Sequence, residues 1–245
     1  MRTEVAAILV AGVGARLRPL TDEKPKALVP INGKPLLLRT LELLERHGVR
    51  RVVLATGYRA DAVRAAVKGS NMDVRCCHNP RYGSTQNSVS LALCADELEG
   101  SDFFKLDGDV VFHSEVLERL ESSCGSLAAA IDERRALDRE AMKVLVDAGV
   151  IQRFGKDLPC ERAFGESIGI ERVRAAATPA LFRALREAEA AGKHDLYYED
   201  VYDRLIAAGT LEAQAVPVGD LPWCEVDTID DLREAQQVVE TLERG

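Results

Sequence analysis

Val5 to Val10 is an unbroken apolar run that ends directly in Ala11-Gly12-Val13-Gly14. A run this short, with no polar alternation, suits a strand buried on both faces, which is the habit of central strands in parallel sheets. Glycines at its carboxyl end let the backbone turn sharply and bring N–H groups close to a ligand. The segments that follow keep the same rhythm. Pro35 to Arg46 carries leucines at helical spacing, opened by a proline and closed by Gly48, and so predicts a helix. Val49 to Ala55 predicts a strand, Ala60 to Val67 a helix and Asp73 to Cys77 a short strand. Ser84 to Leu98 reads as one helix with Ser84 as its N-cap, and Phe103 to Leu106 as a strand ending at Asp107-Gly108-Asp109. Alternation of this kind predicts an α/β, Rossmann-like fold with helices on both faces of a sheet and right-handed crossovers. Such sheets bind ligands beyond the carboxyl ends of their strands, where the glycine segment and the D-G-D segment both fall.

The second half is less regular. Leu127 to Ile131 predicts a strand, and Met142 to Val146 with Val150 to Phe154 a hairpin turning at Asp147-Ala148-Gly149. Phe164 to Ile170 and Leu211 to Val216 are further strands. Thr178 to Ala191, Glu199 to Ala208 and Ile229 to Arg244 are helices. With 245 residues and no repeat or Pro-rich linker, a single domain spanning 1–245 suffices, with residues 1–112 serving one ligand and 113–245 a second.

Composition excludes several classes. A net charge of −8 with no basic cluster argues against a nucleic-acid partner. No apolar run approaches about 18 residues, so no membrane span is expected, and the N-terminal run reads as a strand rather than a signal peptide. Six cysteines lack any C-x-x-C spacing, which leaves no zinc motif and predicts free thiols in a reducing cytoplasm.

The chemistry concentrates after the first strand. In Gly12-Val13-Gly14-Ala15-Arg16-Leu17-Arg18-Pro19-Leu20-Thr21, glycine amides and two guanidiniums suit a polyphosphate, and Lys26 in Lys24-Pro25-Lys26-Ala27-Leu28 can reach the same phosphates. The third glycine of a dinucleotide fingerprint is replaced by Leu17, which argues against a nicotinamide-dependent oxidoreductase. A P-loop is also absent, since Gly33-Lys34 is followed by Pro35.

The string G-x-G-x-R-L-x-P-L-T followed by P-K-A-L-V-P-I resembles the nucleotidyltransferases that act on sugar 1-phosphates and phosphorylated alcohols. It is most similar to phosphocholine cytidylyltransferases and their inositol-phosphate and phosphonate relatives. Asn87-Ser88, the D-G-D segment, Tyr197 to Asp200 and Glu225-Val226-Asp227 extend the likeness along nearly the whole chain. The resemblance implies a single α/β domain of the nucleotide-diphospho-sugar transferase type, with a mixed, mainly parallel sheet, and direct transfer assisted by Mg²⁺. It also implies residue roles. Arg16 and Lys26 would be catalytic. Ala11, Gly12, Gly14, Arg16, Lys26, Thr85, Asn87, Ser88 and Asp107 would hold the nucleotide, CTP being favoured. Asp109 and Asp227 would bind the metal, with Asp227 preferred over Glu225. Lys143, Glu166, Tyr197, Tyr198, Glu199 and Asp200 would hold a small phosphorylated alcohol. Aromatic faces beside carboxylates suit a quaternary or primary ammonium, which favours phosphocholine or a related amino-alcohol phosphate. For Tyr197 to Asp200 the alternative is core packing and helix capping, for Lys143 a solvated strand position, and for Asn87 and Ser88 simple capping. A sugar 1-phosphate or inositol 1-phosphate nucleotidyltransferase and a non-catalytic nucleotide sensor are the other functional readings. A monomer or a homodimer is compatible with all of them.

Overall fold

In the computed structural model, residues 2–244 are described. The N-terminal half runs β1 (Val5–Val10), two single-turn 3-10 segments, a small hairpin of β2 (Pro30–Ile31) and β3 (Lys34–Pro35), and α1 (Leu36–His47). It continues through β4 (Arg51–Thr56), α2 (Ala60–Val67), β5 (Asp73–His78), α3 (Asn87–Ala92), α4 (Ala95–Leu98), β6 (Phe103–Asp107), β7 (Val110–Phe112) and α5 (Glu115–Ser122). The remainder is β8 (Leu127–Asp132), β9 (Lys143–Asp147), β10 (Val150–Gly155), β11 (Gly165–Val173), α6 (Thr178–Ala190), α7 (Tyr198–Ala207), β12 (Ala213–Pro217), β13 (Trp223–Glu225) and α8 (Ile229–Arg244).

Nine strands form one sheet in the order β5-β4-β1-β6-β11-β8-β12-β10-β9. The β5-β4-β1-β6 half is parallel throughout, and β12 lies parallel to β8, whereas β11 and β10 run antiparallel to their neighbours. The sheet is thus mixed and mainly parallel, as expected. Apolar side chains from its two faces fill separate cores. On one side Ala7, Phe103 and Ala129 of the sheet meet Leu91 of α3, Phe182 of α6 and Tyr202 of α7; on the other Ile8, Leu54 and Phe104 meet Leu41 of α1 and Val63 of α2. A third, smaller core of Leu17, Val29, Ile31, Val111, Cys224, Val226 and Val239 lies under α8.

Local signals placed most elements. Gly48 closes α1 in the left-handed conformation, accepting no Cβ penalty there. Ala148 and Gly149 both take positive φ in the β9–β10 turn, which matches the twist of a tight hairpin. The expected helix from Ser84 to Leu98 is instead two short ones, and Ser84 is not its cap. Ser84 Oγ and Thr85 Oγ1 both donate to the Arg81 carbonyl, so these side chains build a turn and helix begins only at Asn87. No helix among the described residues is long and apolar enough to cross a membrane.

Candidate active site

β1 hands over to the glycine loop at the carboxyl edge of the parallel half-sheet. Gly14 has φ 70°, and a Cβ there would stand 2.7 Å from Lys26 Cβ. The glycine therefore sits behind the cavity surface and lets the Lys26 segment lie against the loop, while Thr21 Oγ1 donates to its carbonyl at 2.8 Å. Ala11, Gly12 and Arg16 face the cavity itself.

The acids arrive from two distant parts of the chain. β6 ends at Asp107; Gly108 then presses against β1, its N–H donating to the Leu9 carbonyl at 3.0 Å. Asp109 leads into β7, which pairs antiparallel with β13, Val110 opposite Glu225. The Val226 N–H donates to the Asp109 carbonyl at 2.9 Å and so seats Asp227 beside Asp109. Asp109, Glu225 and Asp227 each offer an oxygen within 4.8 Å of one another. Glu225, which the resemblance ranks below Asp227, therefore joins the acidic set.

Lys26 bridges this acidic set. Its ammonium donates to Asp109 Oδ2 at 2.6 Å and to Asp227, which also receives the Arg16 guanidinium. Burial disfavours the Lys26 ammonium, but Asp109 and Asp227 more than offset this and hold its pKa above the ordinary lysine value. Glu225 lies in the open cleft; desolvation by its surroundings, then Asp109 and Asp227, push it up to about 8. Asp109 Oδ1 is buried without a hydrogen-bond partner. Converging carboxylate oxygens with one unspent buried lone-pair site fit a hard divalent cation such as Mg²⁺.

Arg16, Asp109, Glu225 and Asp227 line one cavity of roughly 720 Å³, with the buried Lys26 paired to two of them from behind. Thr85 and Asn87 form part of its wall; the Asn87 Oδ1 also accepts the Tyr198 N–H at 3.0 Å. Ser88 does not line it. Its hydroxyl donates to the Leu196 carbonyl at 2.6 Å and fastens α3 to the segment before α7. At the far end Glu166, Tyr197 and Glu199 face the cavity.

Three residues expected there sit elsewhere. Lys143 is 1% exposed and donates to the carbonyls of Asp138 and Ala141 at 2.8 and 3.1 Å. It is neither solvated nor open to a ligand, and it fixes the loop that forms one wall. Asp200 Oδ2 accepts the Tyr197 N–H at 2.8 Å, so this acid caps α7. Tyr198 is fully buried beneath the cavity; its hydroxyl donates to Asp107 Oδ2 at 2.9 Å, and Lys105 Nζ lies 3.5 Å from its ring centroid.

That floor was missed. Lys105 pairs with Glu171 at 2.8 Å and with Asp107 at 3.3 Å, all beneath Gly169. Burial pushes Glu171 up to about 7 against the pull of Lys105, and pushes Glu199 up to about 8. The signal was a lysine inside the otherwise apolar Phe103–Leu106 run and a glutamate inside β11. Arg135 and Trp223, also on the cavity wall, were missed as well; the Trp223 indole donates to Asp132 Oδ2 at 2.7 Å.

A mixed α/β sheet with a glycine-and-cation loop after its first strand and converging acids at the same edge is a nucleoside-triphosphate transferase architecture. The chain belongs to the MobA-like NTP transferase domain family, whose model matches residues 6–205. It is 32% identical to the CMP-5'-(3-aminopropyl)phosphonate synthase of Streptomyces rubellomurinus, over 98% of this chain and 41% of that protein. It is 33% identical to the bifunctional IPC transferase and DIPP synthase of Rubrobacter xylanophilus, over 96% of this chain and 51% of that protein. The chain thus spans about half the length of these relatives. The inositol-1-phosphate CTP transferase from T. maritima superposes with a TM-score of 0.84 at 21% identity, covering 100% of this chain and 98% of that one. That likeness is one of fold, and it agrees with the nucleotide-diphospho-sugar transferase type expected from the sequence.

Proposed function

We propose that this chain is a magnesium-dependent cytidylyltransferase that joins CTP to a small phosphorylated alcohol or phosphonate and releases pyrophosphate. The observation that carries the reading is the convergence of Lys26, Arg16, Asp109 and Asp227 on one point of the cavity, beside the β1 loop. A cytidine nucleotide is supported by the relatives' names, which specify CMP or CTP.

The acceptor's phosphate oxygen attacks the α-phosphorus, and the bond to the β-phosphate oxygen breaks with that oxygen taking the electron pair. No protein nucleophile is required, because an ionised phosphate or phosphonate already carries the reactive lone pair. The residues therefore act by position and charge. Arg16, on the rim, holds the departing pyrophosphate. Lys26 neutralises phosphate oxygens at the reacting centre, and its elevated pKa keeps it charged there. Asp109 and Asp227, joined by Glu225, would hold the magnesium ion, which when bound neutralises charge on the phosphates. Thr85, Gln86 and Asn87 offer hydrogen bonds on the nucleoside side of the cavity.

Pyrophosphate release with CTP, UTP, dTTP and GTP, each against a panel of phosphorylated acceptors, tests the reading. CTP-dependent release is expected, falling about 10²–10³-fold in kcat for K26M and for D227N. A sugar or inositol 1-phosphate as sole acceptor would favour the second reading, which the fold likeness to the inositol-1-phosphate enzyme supports. Absence of pyrophosphate release with every nucleotide and acceptor pair would leave the nucleotide-sensing alternative.

A further inference from the structure

The acceptor end of the cavity holds a carboxyl group, that of Glu199, with one oxygen that has no partner in the protein. Glu199 is 5% exposed and lines the cavity, yet its Oε2 is buried without a hydrogen-bond partner. The cation that acts on it most strongly, Lys105, is already engaged by Glu171 and Asp107. Glu166 lines the same end from β11, half buried. Leaving a carboxyl group buried without a donor is costly, so such a group points to a donor brought by a ligand.

Each aromatic ring at this end already has a cation of the protein against it. Lys156 Nζ lies 4.7 Å from the Tyr197 ring centroid, and the Arg135 guanidinium 4.6 Å from that of Trp223. Both cations belong to this cavity wall and are themselves countered, Arg135 by Glu234 and Lys156 by Glu140. Recognition of a quaternary ammonium relies on free aromatic faces, because that group has no N–H to donate. A primary ammonium instead donates up to three hydrogen bonds and is suited to carboxylate oxygens.

Resting on the cytidylyltransferase reading above, we propose that Glu199, assisted by Glu166, makes the site select acceptors with a primary ammonium over those with a quaternary one. Short-chain aminoalkyl phosphates and aminoalkylphosphonates are the class this describes. Glu199 is then a specificity-determining residue, and the Lys156 and Arg135 cations already set against Tyr197 and Trp223 are the reason a trimethylammonium group gains little here.

Steady-state turnover with CTP and Mg²⁺ should give a kcat/KM at least tenfold higher for phosphoethanolamine or 2-aminoethylphosphonate than for phosphocholine. E199Q should raise KM for phosphoethanolamine about tenfold, lower kcat less, and collapse the preference ratio; E166Q should do the same more weakly. Calorimetric titration of phosphoethanolamine and phosphocholine into protein saturated with the α,β-methylene analogue of CTP reads the same preference without turnover. Equal or tighter binding of phosphocholine, no binding of phosphoethanolamine, or an E199Q preference ratio equal to that of the wild type would overturn the inference. Selective binding with no CTP-dependent pyrophosphate release would instead sink the cytidylyltransferase reading, so the two failures are distinguishable.

Discussion

Lys105 shows how much a single buried charge is asked to do. It sits in the centre of β6 with no exposed surface, shared between Glu171 and Asp107 and lying against the Tyr198 ring. Removing one member of a buried ionic set costs about 3–5 kcal/mol, because the partners keep their charge and lose their counter-ion. K105M is expected to lose stability on that scale, and the loss should depend on pH. Burial already lifts Glu171 to about 7, above its ordinary 4.5, so the folded state binds that proton more tightly than the unfolded chain. The sign follows: this group's contribution is most favourable below about 4.5 and is lost as pH rises through 7. Without the ammonium the carboxyl is lifted further, so the K105M deficit should be larger at pH 8 than at pH 5 in urea unfolding. A deficit equal at both values would refute the assignment. Residues of this kind explain where the sequence reading stopped. Arg16, Lys26, Asp109 and Asp227 were legible because they stand in or beside recognisable turns. Glu171 and Lys105 each look like an isolated charge in an apolar strand, and their pairing across β6 and β11 is set by sheet order. Lys143 was misread for the same reason: its acceptors come from the Asp138–Ala141 loop, which carries no periodic signal.

Elements with a clear apolar period and a glycine or proline boundary were read closely. The Ala60–Val67 and Ile229–Arg244 helices match in full, and the β9–β10 hairpin turns where Ala148-Gly149 predicted. Elements that exist through pairing alone were not. β7 and β13 are three residues each, too short to show alternation, and nothing local announces that they pair. Yet this ladder is what brings Asp109 to Asp227. Its geometry depends on the turn before it, where a Cβ on Gly108 would stand 2.5 Å from the Leu9 carbonyl oxygen. Neither backbone can yield without moving β1 or β6. G108A should therefore cost about 1–3 kcal/mol through overpacking of the added methyl group. That corresponds to a melting midpoint lower by ~2–4 °C per kcal/mol for a chain of this size. Gly12 supplies the contrast, since a Cβ there meets nothing within 4 Å. G12A should leave the midpoint near that of the wild type while its methyl group intrudes on the cavity and weakens nucleotide binding. Thermal denaturation of both variants, with CTP titrations on each, checks the pair; a G108A midpoint matching G12A would contradict the turn argument.

Across the whole molecule, the site depends on a third core that belongs to neither face of the large sheet. Leu17 follows Arg16, Val111 lies two residues past Asp109, and Val226 separates Glu225 from Asp227; all three are buried together under α8, against Ala235 and Val239. The helix is also tied down by polar contacts, the Asn32 side-chain amide donating to the Gln236 carbonyl at 3.0 Å and Arg39 pairing with Glu243 at 2.8 Å. One apolar cluster thus holds the phosphate loop and the acidic ladder in mutual register. Val239 is fully buried, and cutting it to alanine leaves a cavity that a close-packed core fills only in part. V239A should cost about 1–3 kcal/mol. Because this core is separate from those flanking β1 and β4, the loss should appear first as local opening. In native-state hydrogen exchange the β7–β13 ladder amides should lose protection in V239A, while the amides joining β1 to β4 keep theirs. The same variant should show a lower kcat, because Asp109 and Asp227 no longer hold one geometry. Uniform loss of protection over both ladders would mean that α8 stabilises the fold as a whole and has no particular hold on the site.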